Sequence, residues 1–353
     1  MAQSIRFASR ALRLPAACGA LILGALLASS APVQAQYAVP PIDEGQAYFM
    51  ATHSFSVFIA PNQRTGEPGP LDKLAAEAQL EGHHNIGVQM IGGSTPMQHW
   101  NQGDGDDSKN LAKVALRNGG VDVFTISPNS TMPEQGIDLF GDLMIATNPD
   151  GRILVQNSWK AWDGHGTTPS VGGNGGGDFT NADRDDVTDA EIQGWIESLH
   201  APDGYLARMR NQLRDLNDRA GTAMAYVVPA ADAVYRLRQE VLRGRIPGIE
   251  KQSELFRDPI GHPTTPVANL VTYVWFTVMY RQPASGLTAL VDPNDPTSAE
   301  RERLLQQIAW EAAANEPMSG IVSSTLWPEG ARSMHELFHN LAAPTDDMEH
   351  MEH

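Results

Sequence analysis

Five short apolar runs recur along the chain, at 47–53 (AYFMATH), 84–91 (HNIGVQMI), 121–127 (VDVFTIS), 152–157 (RILVQN) and 222–228 (TAMAYVV). Several are nearly continuous rather than alternating, the pattern of strands buried on both faces of a parallel sheet. Between them, PLDKLAAEAQLEG (70–82) and SKNLAKVALRNGG (108–120) have helical period and reach glycine where a helix is expected to stop. Strand and helix in alternation predict an α/β fold, a three-layer α/β/α sandwich on a mainly parallel sheet of about five strands. After Asp258 and His262, a run from Thr265 sets Val267, Leu270, Val271, Val274, Trp275 and Val278 on one helical face, and Pro266 suits the first helical position. Further helical patterns cover 296–315 and about 330–342.

No internal repeat and no linker interrupts this pattern, so residues 46–290 read as one domain. A Pro-rich lead-in (36–45) precedes it, and a helical extension (291–342) and a frayed, disordered tail (343–353) follow. The loop 163–187 has a glycine cluster and then the start of an acidic run, Asp178, Asp183, Asp185 and Asp186, that continues to Asp189. Loops of this length are commonly functional or disordered. The acidic run lacks the spacing and terminal glutamate of a calcium loop, so a solvated lid is the better reading.

Composition changes the picture at the N-terminus. Residues 1–35 begin with Arg6, Arg10 and Arg13, continue as AACGALILGALLA and end in Val33-Gln34-Ala35. That is the layout of a cleavable signal peptide, and its apolar run is shorter than the roughly 20 residues of a spanning helix. A secreted or periplasmic location is expected. Cys18, the only cysteine, falls inside this segment, which excludes disulfides, thiolate catalysis and cysteine zinc sites from a mature chain. Losing the three arginines would take the formal net charge from −17 to −20. Such a surface repels phosphate backbones and anionic lipid, which argues against nucleic-acid and membrane partners.

The candidate chemistry lies where ligands bind in an open parallel sheet, at the carboxyl ends of the strands. Ser54 follows the first run, Gly92-Gly93-Ser94 the second and Ser127-Pro128-Asn129 the third. Together they offer a hydroxyl, small-residue amides and a side-chain amide, the parts of a nucleophile with an oxyanion hole. A base is available at His262, with Asp258 to fix its tautomer. Ser56 is a fallback nucleophile. Trp100, Trp159 and Trp162 follow the second and fourth runs and are candidates to line a substrate cleft by stacking. HELFH, His335 to His339, matches a zinc-peptidase pattern with Glu336 as base. Its extended form would need glycine and histidine where Ala342 and Thr345 stand.

The segment ending THSF, the IGGS turn, the SPNS turn and the late Asp258…His262 before a helix resemble the four blocks of the SGNH (GDSL-like) hydrolases. The resemblance covers roughly residues 46 to 283 and implies a flavodoxin-like hydrolase fold. It implies Ser54 as nucleophile, His262 as general base and Asp258 as its acid. Ser54 N–H, Gly93 N–H and the Asn129 side chain would form the oxyanion hole. Thr52 stands where that family usually has glycine, and three residues rather than two separate Asp258 from His262. That spacing leaves open a wider loop or a main-chain carbonyl in place of the aspartate. The activity implied is hydrolysis of carboxylic esters, with no metal or cofactor required; the leader and the tryptophans point to acetyl or other short acyl esters of carbohydrates as substrates. A catalytically degenerate protein that binds carbohydrate or a small ligand in the same cleft is the alternative, and the oligomeric state is unreadable.

Overall fold

The computed structural model describes residues 40–129, 131–165 and 181–321. The expected leader, Asp178 and most of the 163–187 loop, the HELFH helix and the tail lie outside the described residues. The five expected strands form one sheet: β1 (Ala47–Thr52), β2 (His84–Met90), β3 (Val123–Ile126), β4 (Arg152–Gln156) and β5 (Ala225–Val228). All four pairings are parallel and the order is β2-β1-β3-β4-β5, the flavodoxin-like arrangement. The helices are α1 (Pro70–Glu77), α2 (Pro96–Trp100), α3 (Leu111–Asn118), α4 (Gln135–Thr147), α5 (Asp189–His200), α6 (Tyr205–Ala220), α7 (Ala230–Leu242), α8 (Thr265–Tyr280) and α9 (Ser298–Asn315).

Alternate strand residues point to opposite faces, and each face has its own core. Tyr48, Met50, Leu154 and Val228 pack with α1, α7, α8 and α9, whereas Phe49, Phe124, Ile153 and Val227 pack with α3, α4 and α6. β1, β3, β4 and β5 are buried along their whole length, which is why their sequences run apolar without alternation. β2 lies at one edge, with Ile86 and Met90 exposed. At the other edge the Val227 amide donates to the Met318 carbonyl, so the segment after α9 covers part of β5.

Several elements depart from expectation. α1 stops at Glu77, short of Gly82, because Gln79 takes a left-handed conformation (φ 58°) and turns the chain early. α3 does stop at glycine, Gly119 (φ 75°). Pro266 is the second rather than the first residue of α8. α8 is not amphipathic in its setting: both its faces are buried, one toward the sheet and the other under α9, so α9, the described helix of the expected C-terminal extension, shares the main core. No helix among the described residues is long and apolar enough to cross a membrane.

Candidate active site

The strand order reverses at β1 and β3, and the crevice at their carboxyl ends is where doubly wound sheets take ligands. β1 ends in a tight turn there. The amides of Ser56 and Val57 donate to the His53 carbonyl at 3.2 and 3.1 Å, and the Phe55 amide donates to His53 Nδ1 at 3.2 Å. From Ala51 to Ser56, Ser54 alone keeps part of its surface open. Behind the turn, Trp275 of α8 donates to Gln156 Oε1 at 2.6 Å, and Gln156 donates to the Phe55 carbonyl at 3.1 Å. The Ser54 turn is thereby tied to the end of β4 and to α8.

Ser54 Oγ lies 2.8 Å from His262 Nε2, and His262 Nδ1 lies 2.5 Å from Asp258 Oδ2. The extra residue between Asp258 and His262 is taken up by a small closed loop. Its neck is an antiparallel bridge between Phe256 and Pro263, with Arg257 N donating to the His262 carbonyl at 2.9 Å. Gly261 turns the chain with φ 102°, a backbone that L side chains rarely adopt. That turn lets Asp258 Oδ1 accept from the amides of Gly261 (3.1 Å) and His262 (3.2 Å) while Oδ2 reaches the imidazole. The carboxylate therefore faces His262, and no main-chain carbonyl takes its place at Nδ1.

Partial burial by itself raises the Asp258 carboxyl, but the hydrogen bonds from the His262 ring and from the two amides outweigh it and hold it below the ordinary carboxylate range. His262 packs edge-on to Phe55, which stacks on Trp159 with ring centres 4.5 Å apart. His53, buried beside Ser54, is pushed down to about 4 by burial and by the nearby His262, so it brings no competing charge at neutral pH.

The turns after β2 and β3 meet at the same crevice. Asn129 Nδ2 donates to the Gly93 carbonyl at 2.7 Å, and both residues are exposed. Gly93 is left-handed (φ 61°) with open space where a Cβ would be. Tyr205 of α6 donates its hydroxyl to the Asn129 carbonyl at 3.0 Å and fixes that turn. The amides of Ser54 and Gly93 donate to no protein group among the described residues. Asn129 retains a second amide proton beyond the one given to Gly93. Under this mouth, His99 Nε2 lies 2.7 Å from Ser94 Oγ, and burial together with His53 pushes its imidazole down to about 4.

Other sequence candidates fall elsewhere. Ser56 is fully buried between Thr52 and Ser127, 2.7 Å from Ser127 Oγ, so its hydroxyl joins the ends of β1 and β3 and is closed to a substrate. Thr52, at the position where glycine was the expectation, supplies the first hydroxyl of this chain. Trp159 is 3 % exposed and donates to the Gly261 carbonyl at 3.0 Å, so it supports the 258–262 loop and offers no free face. Trp100 packs edge-on against Phe140 with Lys113 over its ring, on the α4 side of the sheet. Trp162 is half-buried, and its amide donates to the Ile260 carbonyl at 3.2 Å. In the described ends of the 163–187 loop, Asp185 accepts from Ser253, so it serves a protein contact. Asp189, just beyond the loop, pairs with Arg243. No cluster of metal-ligating side chains occurs among the described residues.

Sequence reading missed Arg184 and Asp163. Arg184 is fully buried and donates to the carbonyls of Asp258 and Pro259. An arginine within an acidic run gives no signal of burial, because the same pattern describes a solvated loop.

No family model matches the sequence, and no curated protein does. Among solved structures the chain is similar to a DUF4886 family protein from Bacteroides uniformis, at 12% identity and a TM-score of 0.41 over 77% of this chain and 96% of that one. It is also similar to a protein from Parabacteroides merdae provisionally assigned as a GDSL-like lipase, at 12% identity and a TM-score of 0.37 over 67% and 97% of the respective chains. At that distance these likenesses carry no functional argument, and the site's own geometry has to supply one.

Proposed function

We propose that this chain is a serine esterase of the SGNH type. The observation that carries the reading is the unbroken line from Ser54 Oγ through the two ring nitrogens of His262 to Asp258, opening at the carboxyl ends of a parallel sheet. The order of events follows from that line. Ser54 Oγ attacks an ester carbonyl as its proton passes to His262 Nε2, and Asp258 stabilises the imidazolium and keeps Nδ1 protonated. The oxyanion is received by the amides of Ser54 and Gly93 and by the second amide proton of Asn129. Each such donor is worth about 3 kcal/mol in the transition state. His262 then protonates the leaving alcohol, and water, deprotonated by the same ring, releases the acyl group.

Short acyl esters, including acetyl esters of carbohydrates, are the proposed substrates, and a secreted or periplasmic site of action is proposed from the leader sequence. The test uses the purified chain with p-nitrophenyl acetate, butyrate and octanoate, an acetylated xylo-oligosaccharide, and a fluorophosphonate probe. Hydrolysis and stoichiometric labelling, both abolished in Ser54→Ala, are the expected result. A wild-type chain that binds the oligosaccharide but neither hydrolyses nor labels would make it a binding protein instead. Activity that survives Ser54→Ala and disappears with chelator would move the chemistry to His335 and His339.

A further inference from the structure

The loop that carries acid and base is gripped from behind by a buried cation. Arg184 has no exposed surface, and its Nη1 and Nη2 donate to the carbonyls of Asp258 and Pro259, each at 2.8 Å. Its Nε donates to Asp163 Oδ1 at 2.7 Å, and the other oxygen of Asp163 accepts from Arg238. Arg238 in turn donates to Gln252 at 2.8 Å, and Gln252 returns its amide to the carbonyls of Arg184 and Val187 at 2.9 and 2.7 Å. The Phe256 ring lies 4.7 Å from the Arg184 guanidinium carbon.

Burying a guanidinium costs several kcal/mol unless charge and hydrogen bonds surround it. Here two cations share one carboxylate; Arg184 spends its other donors on the carbonyls of Asp258 and Pro259 and on the Asn181 side chain, and Arg238 donates to the Gln252 side chain. An apolar side chain would fill the same space without that desolvation cost. What it lacks is the planar fork, whose two ends meet consecutive carbonyls at the start of the 258–262 turn. The turn also fits closely around the cation: a Cβ at Gly261 would come within 3.3 Å of Arg184 Nη2. The guanidinium therefore bears on both limbs of the turn.

We propose that Arg184 is a positioning residue for catalysis, clamping the 258–262 turn so that the His262 ring stays in line between Asp258 and Ser54, with Asp163 holding the clamp. The proposal rests on the esterase reading. A lysine retains the charge but is a point donor that cannot span both carbonyls, so it does not restore the clamp.

Four variants test it: Arg184→Lys, Arg184→Met, Asp163→Asn and, as a control, Arg210→Lys on α6, which weakens an ion pair with the buried Glu316 that has no hydrogen bond to the turn. Misplacing a catalytic group by about 1 Å costs up to roughly 100-fold, so kcat is expected to fall about 10- to 100-fold in the first three, with KM within about threefold. The same three should broaden or lose the downfield proton resonance of the His262 Nδ1–H bonded to Asp258, assigned by its absence in His262→Gln. Arg210→Lys should lower the melting temperature while leaving kcat and the resonance at wild-type values. Should Arg184→Met fail to fold, Arg184→Lys and Asp163→Asn carry the same readouts. A folded Arg184→Lys with wild-type kcat and an unchanged resonance overturns the proposal, as does a loss of kcat that only tracks melting temperature across all four. If the wild type hydrolyses nothing, the esterase reading fails, while the resonance still reports on the clamp.

Discussion

Replacing Asp258 by asparagine puts the proposed relay under the most direct strain. Asp258 Oδ2 is 2.5 Å from His262 Nδ1, and an amide there either presents N–H to N–H or turns its oxygen in. Turning the oxygen to Nδ1 leaves the NH2 facing the amides of Gly261 and His262, which now bond Oδ1 at 3.1 and 3.2 Å. Either orientation sacrifices a contact, and the simplest relief is for His262 to place its proton on Nε2, where it can no longer accept from Ser54. Loss of the negative charge adds to this. Two unit charges about 4 Å apart interact by about 4 kcal/mol at an effective dielectric of about 20. The Asp258 side chain is 31 % exposed, so solvent screening reduces that to about 2–3 kcal/mol. With the wrong tautomer included, kcat should fall about 10³- to 10⁴-fold, or about 4–5 kcal/mol. Steady-state hydrolysis of p-nitrophenyl acetate, the labelling rate with fluorophosphonate and the melting temperature are the measurements. KM should stay within about twofold. The pH arm has a definite sign: the folded Asp258 carboxyl lies below its ordinary value, so its contribution to stability is present above that value and is lost as pH falls through the folded one. The asparagine variant should lack that acid-side component. A variant retaining kcat within tenfold of wild type would refute the reasoning and reduce Asp258 to a cap for the Gly261 and His262 amides.

Other outcomes follow from the same geometry. Ser56→Ala should keep kcat within about twofold while costing about 1 kcal/mol in urea unfolding, since it removes a link of the buried hydroxyl chain; loss of labelling would make Ser56 the nucleophile. Asn129→Ala should lower kcat about 10²- to 10³-fold with little change in KM, and an unchanged kcat would remove Asn129 from the oxyanion site. His53 and His99 are both pushed down to about 4 from 6.5 by burial, so their unfolded forms take up protons first on acidification. Their contribution to stability, at most about 3 kcal/mol each and not additive, is present above about pH 6.5 and falls away toward pH 4. The urea midpoint should drop over that window and drop less in His99→Gln; a midpoint flat across it would contradict their buried neutral state.

The strands were legible because four of them are buried on both faces, which writes itself as nearly continuous apolar runs such as the ILV within RILVQ and the VFTI of β3. Ser54, Gly93 and Asn129 could be placed at the sheet's carboxyl edge by counting strand ends, whereas His262 was marked by its place just before a helical run and by the family resemblance. What could not be read was tertiary in origin. The burial of both faces of α8 depends on α9, some 20 residues further on, and α1 ends where Gln79 adopts a backbone that propensity disfavours. The tryptophans misled for a related reason. An indole after a strand looks the same in sequence if it faces a cleft or, like Trp159, stacks on Phe55 and bonds a loop carbonyl. Arg184 was invisible because its partners are distant in sequence, Asp258 74 residues away and Asp163 21.

The hydrogen bond between Ser54 and His262 joins positions 208 residues apart. Closing a flexible loop of that length costs about 5 kcal/mol of chain entropy, offset only by the contacts of everything folded in between. No shorter stretch of this chain holds Ser54 and His262 together. Capture of a fluorophosphonate during refolding from urea would therefore time the completion of the whole sheet, and a nick between β1 and the 258–262 turn would silence the chain unless its halves stayed docked.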